Sequence, residues 1–469
     1  MKSKRSGTYS GEVERKMSYH SNHTVLDQSE ELPTNDTDFK NGIWPRSIPL
    51  WMTSFYMALF IIRPWEQLLP LLGDIHFEKI YTILMLLAVV FSNKKKIRFT
   101  FQSFTVLLLL AAIGISAMFA WKPSLSSDPF VDYRNIVIIF FVLLFVIRSP
   151  QELVFIIISY IFIMTIYLGK AQWEFFVHGA HRYDMGVVRM VGIEDTYGGP
   201  NDLAMSIDVT LPFLFFLWIK RKEISRSWPA LYKKWYPRFL FVYLALCLTS
   251  VILTNSRSGM LGFVLFIVLI TFKGRGFFKK IAYVLLGGLV LLVVWQFTPE
   301  ENKNRFRTIW DKDAGPSNAQ VSAEGRIQGL KAGMAMFKRY PITGIGIGNF
   351  IAYRITYLDG IPLQAHNLIG QVLGETGIVG ALAFIIMLIT ILINSHRAKG
   401  LVKGESDDIL LLNRDLCTAV EYALIILLFL GFFGHNLDRY NWLWYAAFAN
   451  LALLFNRDRL RDLERANTE

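Results

Sequence analysis

Long apolar blocks recur along most of this chain, and lipid leaves such blocks few conformations. In a bilayer core every backbone N–H and C=O needs a partner, and a helix closes all of those bonds within its own segment. The blocks fall near residues 47–62, 77–92, 103–120, 133–147, 152–168, 203–219, 238–254, 258–272, 281–297, 377–394, 417–433 and 440–455. They are continuous rather than alternating, each about as long as a helical span. A hydrophobic content of 53% and a mean hydropathy of +0.37 exceed what soluble domains show. The expected fold is an all-α polytopic membrane protein with about 12 transmembrane helices.

Charge orients the spans. With the N-terminus in the cytoplasm, about 31 of the 49 Lys and Arg fall on the cytoplasmic side. They cluster in KKKIR at 94–98, in the stretch 220–238, in KGRGFFKK at 273–280 and in the C-terminal tail. Roughly half of the remainder sit in one long polar segment, 298–376, where the positive-inside rule has little force. Both termini are therefore expected inside and the long segment outside. Basic residues beside spans meet anionic lipid head groups, so the net charge of +12 calls for no nucleic acid. Residues 1–46 lack an apolar core and read as a disordered cytoplasmic tail rather than a cleaved signal peptide. Cys247 and Cys417 have no metal-ligand spacing, which leaves neither a disulfide framework nor a zinc site, and no cofactor is expected.

The resulting division is a tail (1–46), nine spans (47–297), a large external loop (298–376), three spans (377–455) and a second tail (456–469). A long structured loop between spans is where function concentrates. Within it, Ile327, Leu330, Met334 and Phe337 recur at helical spacing before Tyr340 and Pro341. They predict an amphipathic helix whose apolar stripe packs on the spans while Arg326 and Lys331 face an anion. A solvated face, with Glu324 paired to a neighbouring base, fits the same residues. Gly344, Gly346 and Gly348 have the wrong spacing for a dinucleotide fingerprint and read as a tight turn that brings backbone close to a neighbour.

Arg257 stands in NSRSG where one span ends and the next begins, so Asn255 or Ser256 caps a helix whose first turn carries the arginine. Free amides, the positive dipole end and a guanidinium fork together make an anion site, although a lone interfacial arginine also snorkels to head groups. His366 opens another helical run in which Gly374, Gly377 and Gly380 allow close packing. A helix start and nearby arginines disfavour imidazolium, so this histidine is expected to be neutral, either as a general base or as a structural ring. The stretch 169–202 adds His178, His181, Arg182, Arg189, Glu194, Asp195 and Asn201, with the two histidines read as surface residues. Trp51, Trp65, Trp121, Trp173, Trp442 and Trp444 lie near span ends and read mostly as interfacial anchors.

SRSG at a span head, a GR-containing helix in a large external loop, P-x-T-G-x-G-x-G-N-F, and the run from His366 and Asn367 to Glu375 and Gly380 recur in this order. Over roughly residues 195–455 this pattern resembles the O-antigen ligase and polymerase superfamily of bacterial membrane glycosyltransferases. The resemblance implies a GT-C-like fold in the bacterial cytoplasmic membrane. The reaction it implies moves a glycan from a polyprenyl (undecaprenyl) pyrophosphate carrier to a glycan or lipid-core hydroxyl on the external face, with no metal. It assigns Arg257 and Arg326 to the pyrophosphate and His366 to acceptor activation. PNDLA at 200–204 also looks like members of this family, and Arg182, Arg189, Asn201, Asn367 and Glu375 are candidate further substrate contacts. Surface polysaccharide such as lipopolysaccharide is the implied product, by ligase or polymerase action. A protein O-oligosaccharyltransferase shares the donor, and an anion transporter stays open because Asp208 lies inside a predicted span.

Overall fold

The computed structural model describes residues 45–65, 69–92, 98–184, 187–193, 197–273, 300–307 and 318–468, with scattered positions between 281 and 296. Most of the tail expected over 1–46 and most of the span expected over 281–297 lie outside the described residues, as do Glu194 and Asp195. The protein is an all-α polytopic membrane protein, with a two-stranded hairpin among the described residues.

Helices α1 (Ile48–Ile62), α2 (Pro70–Asp74) and α3 (Phe77–Phe91) lead to the first long spans, α4 (Phe101–Met118), α5 (Pro123–Val146) and α6 (Pro150–Val177). The hairpin of β1 (His181–Asp184) and β2 (Val187–Met190) follows, then α7 (Pro200–Asp208), α8 (Leu211–Ile219), α9 (Arg221–Ile224), α10 (Ala230–Leu253) and α11 (Arg257–Lys273). After them come α12 (Glu300–Arg307), α13 (Asn318–Arg339), α14 (Phe350–Tyr357), α15 (Leu368–Gly400), α16 (Asp408–Gly431) and α17 (Asn441–Ala466). Among the described residues, α4, α5, α6, the α7–α8 pair, α10 and α15 are long and apolar enough to cross a membrane, and α1 and α11 are shorter apolar helices.

Local chemistry sets the starts. Thr100 and Ser103 form a capping box on α4, and the Ser149 hydroxyl accepts from Glu152 N at 3.2 Å on α6. Pro123, Pro150 and Pro200 open their helices, where the missing N–H costs nothing and the fixed φ is already helical. Helix α6 runs past its expected end at 168 to Val177. Its polar residues there find partners on α10, with Gln172 Nε2 donating to Leu246 O at 3.1 Å and to Ser250 Oγ at 2.9 Å. Asp208 sits at the junction of α7 and α8, fully buried, with neither carboxyl oxygen bonded among the described residues.

Helix α17 is the central post, buried on every side from Asn441 to Leu453 and packed by α4, α5, α6, α15 and α16. A helix apolar all round belongs inside other helices. Two tryptophans read as interfacial anchors are therefore core residues: Trp442 and Trp444 are 0% and 2% exposed, and Trp442 Nε1 donates to Asn436 O at 2.7 Å. Neighbouring helices, rather than lipid, cover this face.

The long loop is mostly helical and returns onto the spans. Helix α13 lies along α15 through small residues rather than through the expected stripe of large ones. Gly329, Ala332, Gly333 and Met336 are buried, whereas Ile327 is 55% exposed. A β-carbon on Gly333 would overlap the Gly370 backbone, and one on Gly329 the Ala365 carbonyl. Gly370 and Gly374 present the matching face of α15, so two small-xxx-small pairs bring the backbones together.

Helix α15 begins at Leu368, inside the expected loop, and breaks at Gly377 (φ 61°, ψ −161°). A break strands backbone groups that must be bonded elsewhere. The glycine turn does this: Ile345 N donates to Gly374 O (2.9 Å) and Gly346 N to Glu375 O (3.0 Å). In return, Ile378 N donates to Pro341 O (2.9 Å) and Val379 N to Ile342 O (3.3 Å). Gly344, Gly346 and Gly348 all take positive φ to fit beneath this break, against the α4–α5 corner where Trp121 N bonds Ile345 O.

Gly377→Ala is expected to lower stability in detergent by about 2–4 kcal/mol, because its φ/ψ is nearly glycine-only and a β-carbon would strike the Ile342 carbonyl. Gly360→Ala, at φ 71° with open space around it, is expected to cost only about 1 kcal/mol. Thermal unfolding of the two variants side by side checks the contrast, and equal losses would contradict it.

Candidate functional site

The site forms where the starts of α7, α11 and α15 meet the middle of α13 and the α16–α17 connection. Its first fixed point is Arg189. The hairpin turns this side chain inward to 2% exposure, with Nε donating to Thr254 O (3.0 Å) and Nη2 to Asn201 Oδ1 (2.8 Å). The same Asn201 oxygen accepts from Ser256 Oγ at 2.8 Å. Ser256 in turn caps α11, accepting from Gly259 N at 3.2 Å, while Asn255 takes φ 48° and donates to Val188 O at 2.8 Å. Two other chain segments, the hairpin and the start of α7, thus fix the head of α11, whose first residue is Arg257. The guanidinium rises from a helix N-terminus, where amides and dipole already favour an anion.

Arg326 comes from α13, one turn before Gly329. It lies over the Phe433 ring, 5.5 Å from the centroid, and has no carboxylate partner among the described residues. Burial, followed by the nearby charges of Arg257 and Arg189, pushes its pKa down from 12.5 to about 10. It stays protonated at neutral pH, at a cost on the order of 3 kcal/mol that an arriving anion would relieve.

His366 is set by the same interlock. It takes φ 45°, just before Asn367 caps α15 by accepting from Gly370 N at 3.1 Å. The incoming strand is held by buried Arg354, whose Nε and Nη2 donate to Asp359 at 3.1 and 2.5 Å and whose Nη1 donates to Leu363 O at 3.0 Å. Burial depresses the His366 pKa from 6.5 to about 4, with His435 and Arg326 adding to the effect. The ring is therefore neutral at physiological pH, as a general base must be.

Arg189, Asn201, Arg257, Arg326 and His366 are thus brought together, and the other candidates have different places. Arg182 pairs with Arg189 in the hairpin register but is exposed. Asn367 is occupied as a helix cap, and its Nδ2 donates to Phe432 O at 3.3 Å. Glu375 is buried and fastens the glycine turn, accepting from Gly348 N at 3.0 Å. Lys331 is exposed, and His178 Nδ1 lies 2.6 Å from Glu174.

Sequence reading passed over two residues of this pocket. Arg439 pairs with Asp202 (2.9 Å) and donates to Ser206 Oγ (2.7 Å) at the head of α7. His435 lies against His366 with ring centroids 5.3 Å apart. A signal was present, since the tripeptide His-Asn-Leu occurs at 366–368 and again at 435–437.

Residues 242–385 match the O-antigen ligase family. No curated protein matches the chain. The matched stretch contains Arg257, Arg326 and His366, whereas Arg189, Asn201 and His435 lie outside it. This membrane protein carries an O-antigen ligase domain, which supports its place in the O-antigen ligase and polymerase superfamily of polysaccharide assembly.

Proposed function

We propose that the chain transfers a glycan from a polyprenyl pyrophosphate carrier to an acceptor hydroxyl at the external face of the bacterial cytoplasmic membrane. The observation that carries this reading is a neutral histidine beside an arginine cluster whose central member, Arg326, is buried next to Arg257 and Arg189 with no carboxylate partner among the described residues. Such a cluster suits a ligand bearing several negative charges, and a diphosphate is the leaving group that needs them. His366 accepts the proton as the acceptor oxygen attacks the anomeric carbon. The bond from that carbon to the diphosphate oxygen breaks, and the electron pair leaves with the carrier. Guanidinium forks at Arg257 and Arg326 stabilise the developing charge.

Orientation is supported from the opposite end of the same helices. There Lys220 pairs with Asp415, Arg226 with Asp408, Lys399 with Glu421 and Arg459 with Asp407, and it is the further Lys and Arg of 220–238 and of the C-terminal tail that support a cytoplasmic face. Lipid-linked and surface polysaccharide from a deletion strain tests the reading and separates its two forms. A ligase leaves long carrier-linked chains unattached when lost, and a polymerase leaves chains short. Unchanged surface and carrier-linked glycan would overturn both.

His366→Ala is expected to lower transfer by roughly 10²–10⁴-fold with donor binding retained, and turnover at the wild-type rate would remove the base role. Arg326→Lys is expected to raise the donor concentration needed by tenfold or more, as a point charge lacks the fork. Acid acts in a definite direction. The free protein should lose kcat/KM as pH falls through about 4, when His366 takes up a proton. The acid limb of kcat should lie higher, because bound diphosphate favours imidazolium. A kcat/KM midpoint near the unperturbed histidine value would contradict the burial argument.

A further inference from the structure

His435 is the group in this pocket that glycan transfer leaves without a task. The first turn of α15 grips its loop at two points. Asn367 Nδ2 donates to Phe432 O at 3.3 Å, and Gln371 Oε1 accepts from Leu437 N at 3.1 Å. Asn436 adds two anchors: its Nδ2 donates to Leu427 O at 3.0 Å and its carbonyl accepts from Trp442 Nε1 at 2.7 Å. These bonds hold the His435 ring edge-to-face against His366, and Phe433 two residues earlier lies under Arg326. Yet His435 Nδ1 is buried with no hydrogen-bond partner among the described residues. A buried orphan nitrogen is costly, and bonds between catalytic groups are often long until substrate arrives.

Resting on the reading of His366 as the base, we propose that His435 is its positioning residue. With donor and acceptor bound, His435 Nδ1 accepts from the ring N–H of His366 that faces it. That bond fixes the tautomer whose other nitrogen takes the acceptor proton. His435 itself neither gains nor loses a proton in the step. The groups facing His366 are Arg326 from α13, Arg354 from α14, Asp202 from α7 and His435 from the α16–α17 connection. Asp202 alone among them favours imidazolium, so losing His435 should make His366 easier to protonate.

Two substitutions separate the nitrogen from the ring. His435→Asn keeps an acceptor, its Oδ1, near the Nδ1 position, and His435→Phe keeps the packing. Each full-length variant, reconstituted in liposomes, is assayed for transfer across pH. Diethyl pyrocarbonate acylation of His366 is followed in parallel by mass spectrometry, a readout that needs no turnover. For His435→Phe the expected result is a loss of about a hundredfold in kcat with donor KM little changed, and a His366 acylation midpoint raised by about one pH unit. His435→Asn should stay within about tenfold of wild type. A His435→Phe variant with wild-type rate and an unmoved midpoint overturns the proposal, and so does His435→Asn performing no better than His435→Phe. Full transfer by His366→Ala would instead remove the base itself, whatever His435 does.

Discussion

Backbone meets backbone where α13 crosses α15, and the positions of Arg326 and His366 follow from that contact. Gly329 and Gly333 on one helix, and Gly370 and Gly374 on the other, remove the side chains that would hold the axes apart. Arg326 stands one turn before its helix's glycine pair and His366 just before the other, so helix register alone sets them side by side. Small residues at such a crossing let the backbones approach closely, so that close packing and bonded polar groups supply the attraction. The broken turn at Gly377 contributes to it, because the backbone groups it strands are satisfied by the segment that follows α13.

The second theme is charge held in readiness. Arg189 is bonded to Thr254 and Asn201, and Arg439 to Asp202, so these guanidiniums are committed to structure. Arg326 is not committed in that way: it has an aromatic face beneath it and cations beside it. Neutralising it with a carboxylate would stabilise the fold and close the pocket. Leaving it without one costs stability and creates affinity for anions, a compromise common to sites that bind phosphates.

Much of this was legible from residues alone, for definite reasons. Spans announce themselves through length and apolarity. Arg257 was visible as a helix start because Ser256 is a capping residue, and the glycine triplet as a turn because its spacing suits no other backbone. The face of α13 was misread, since counting large apolar residues at helical spacing overlooks glycines as contact residues. Trp442 and Trp444 were misread for a similar reason: a window of sequence does not reveal whether lipid or protein surrounds a helix. Glu375 and Asn367 looked like ligands because they are polar beside His366, and only geometry shows that Gly348 and Gly370 already occupy them. His435 was missed because pairing between loops far apart in sequence leaves only a repeated tripeptide behind.

The fracture in α15 also bears on how the chain is assembled. Residues 378–394 are apolar enough to be taken up by the insertion machinery on synthesis, but 367–376 carry Asn367, Gln371 and Glu375 and have no such drive. Their bonding partners arrive with Gly348, Phe432 and Leu437, the last two encoded more than fifty residues later. The end of the helix that follows His366 therefore settles late, after its surroundings have been made. Biogenesis so ordered would leave the pocket incomplete until the last helices of the chain have been made.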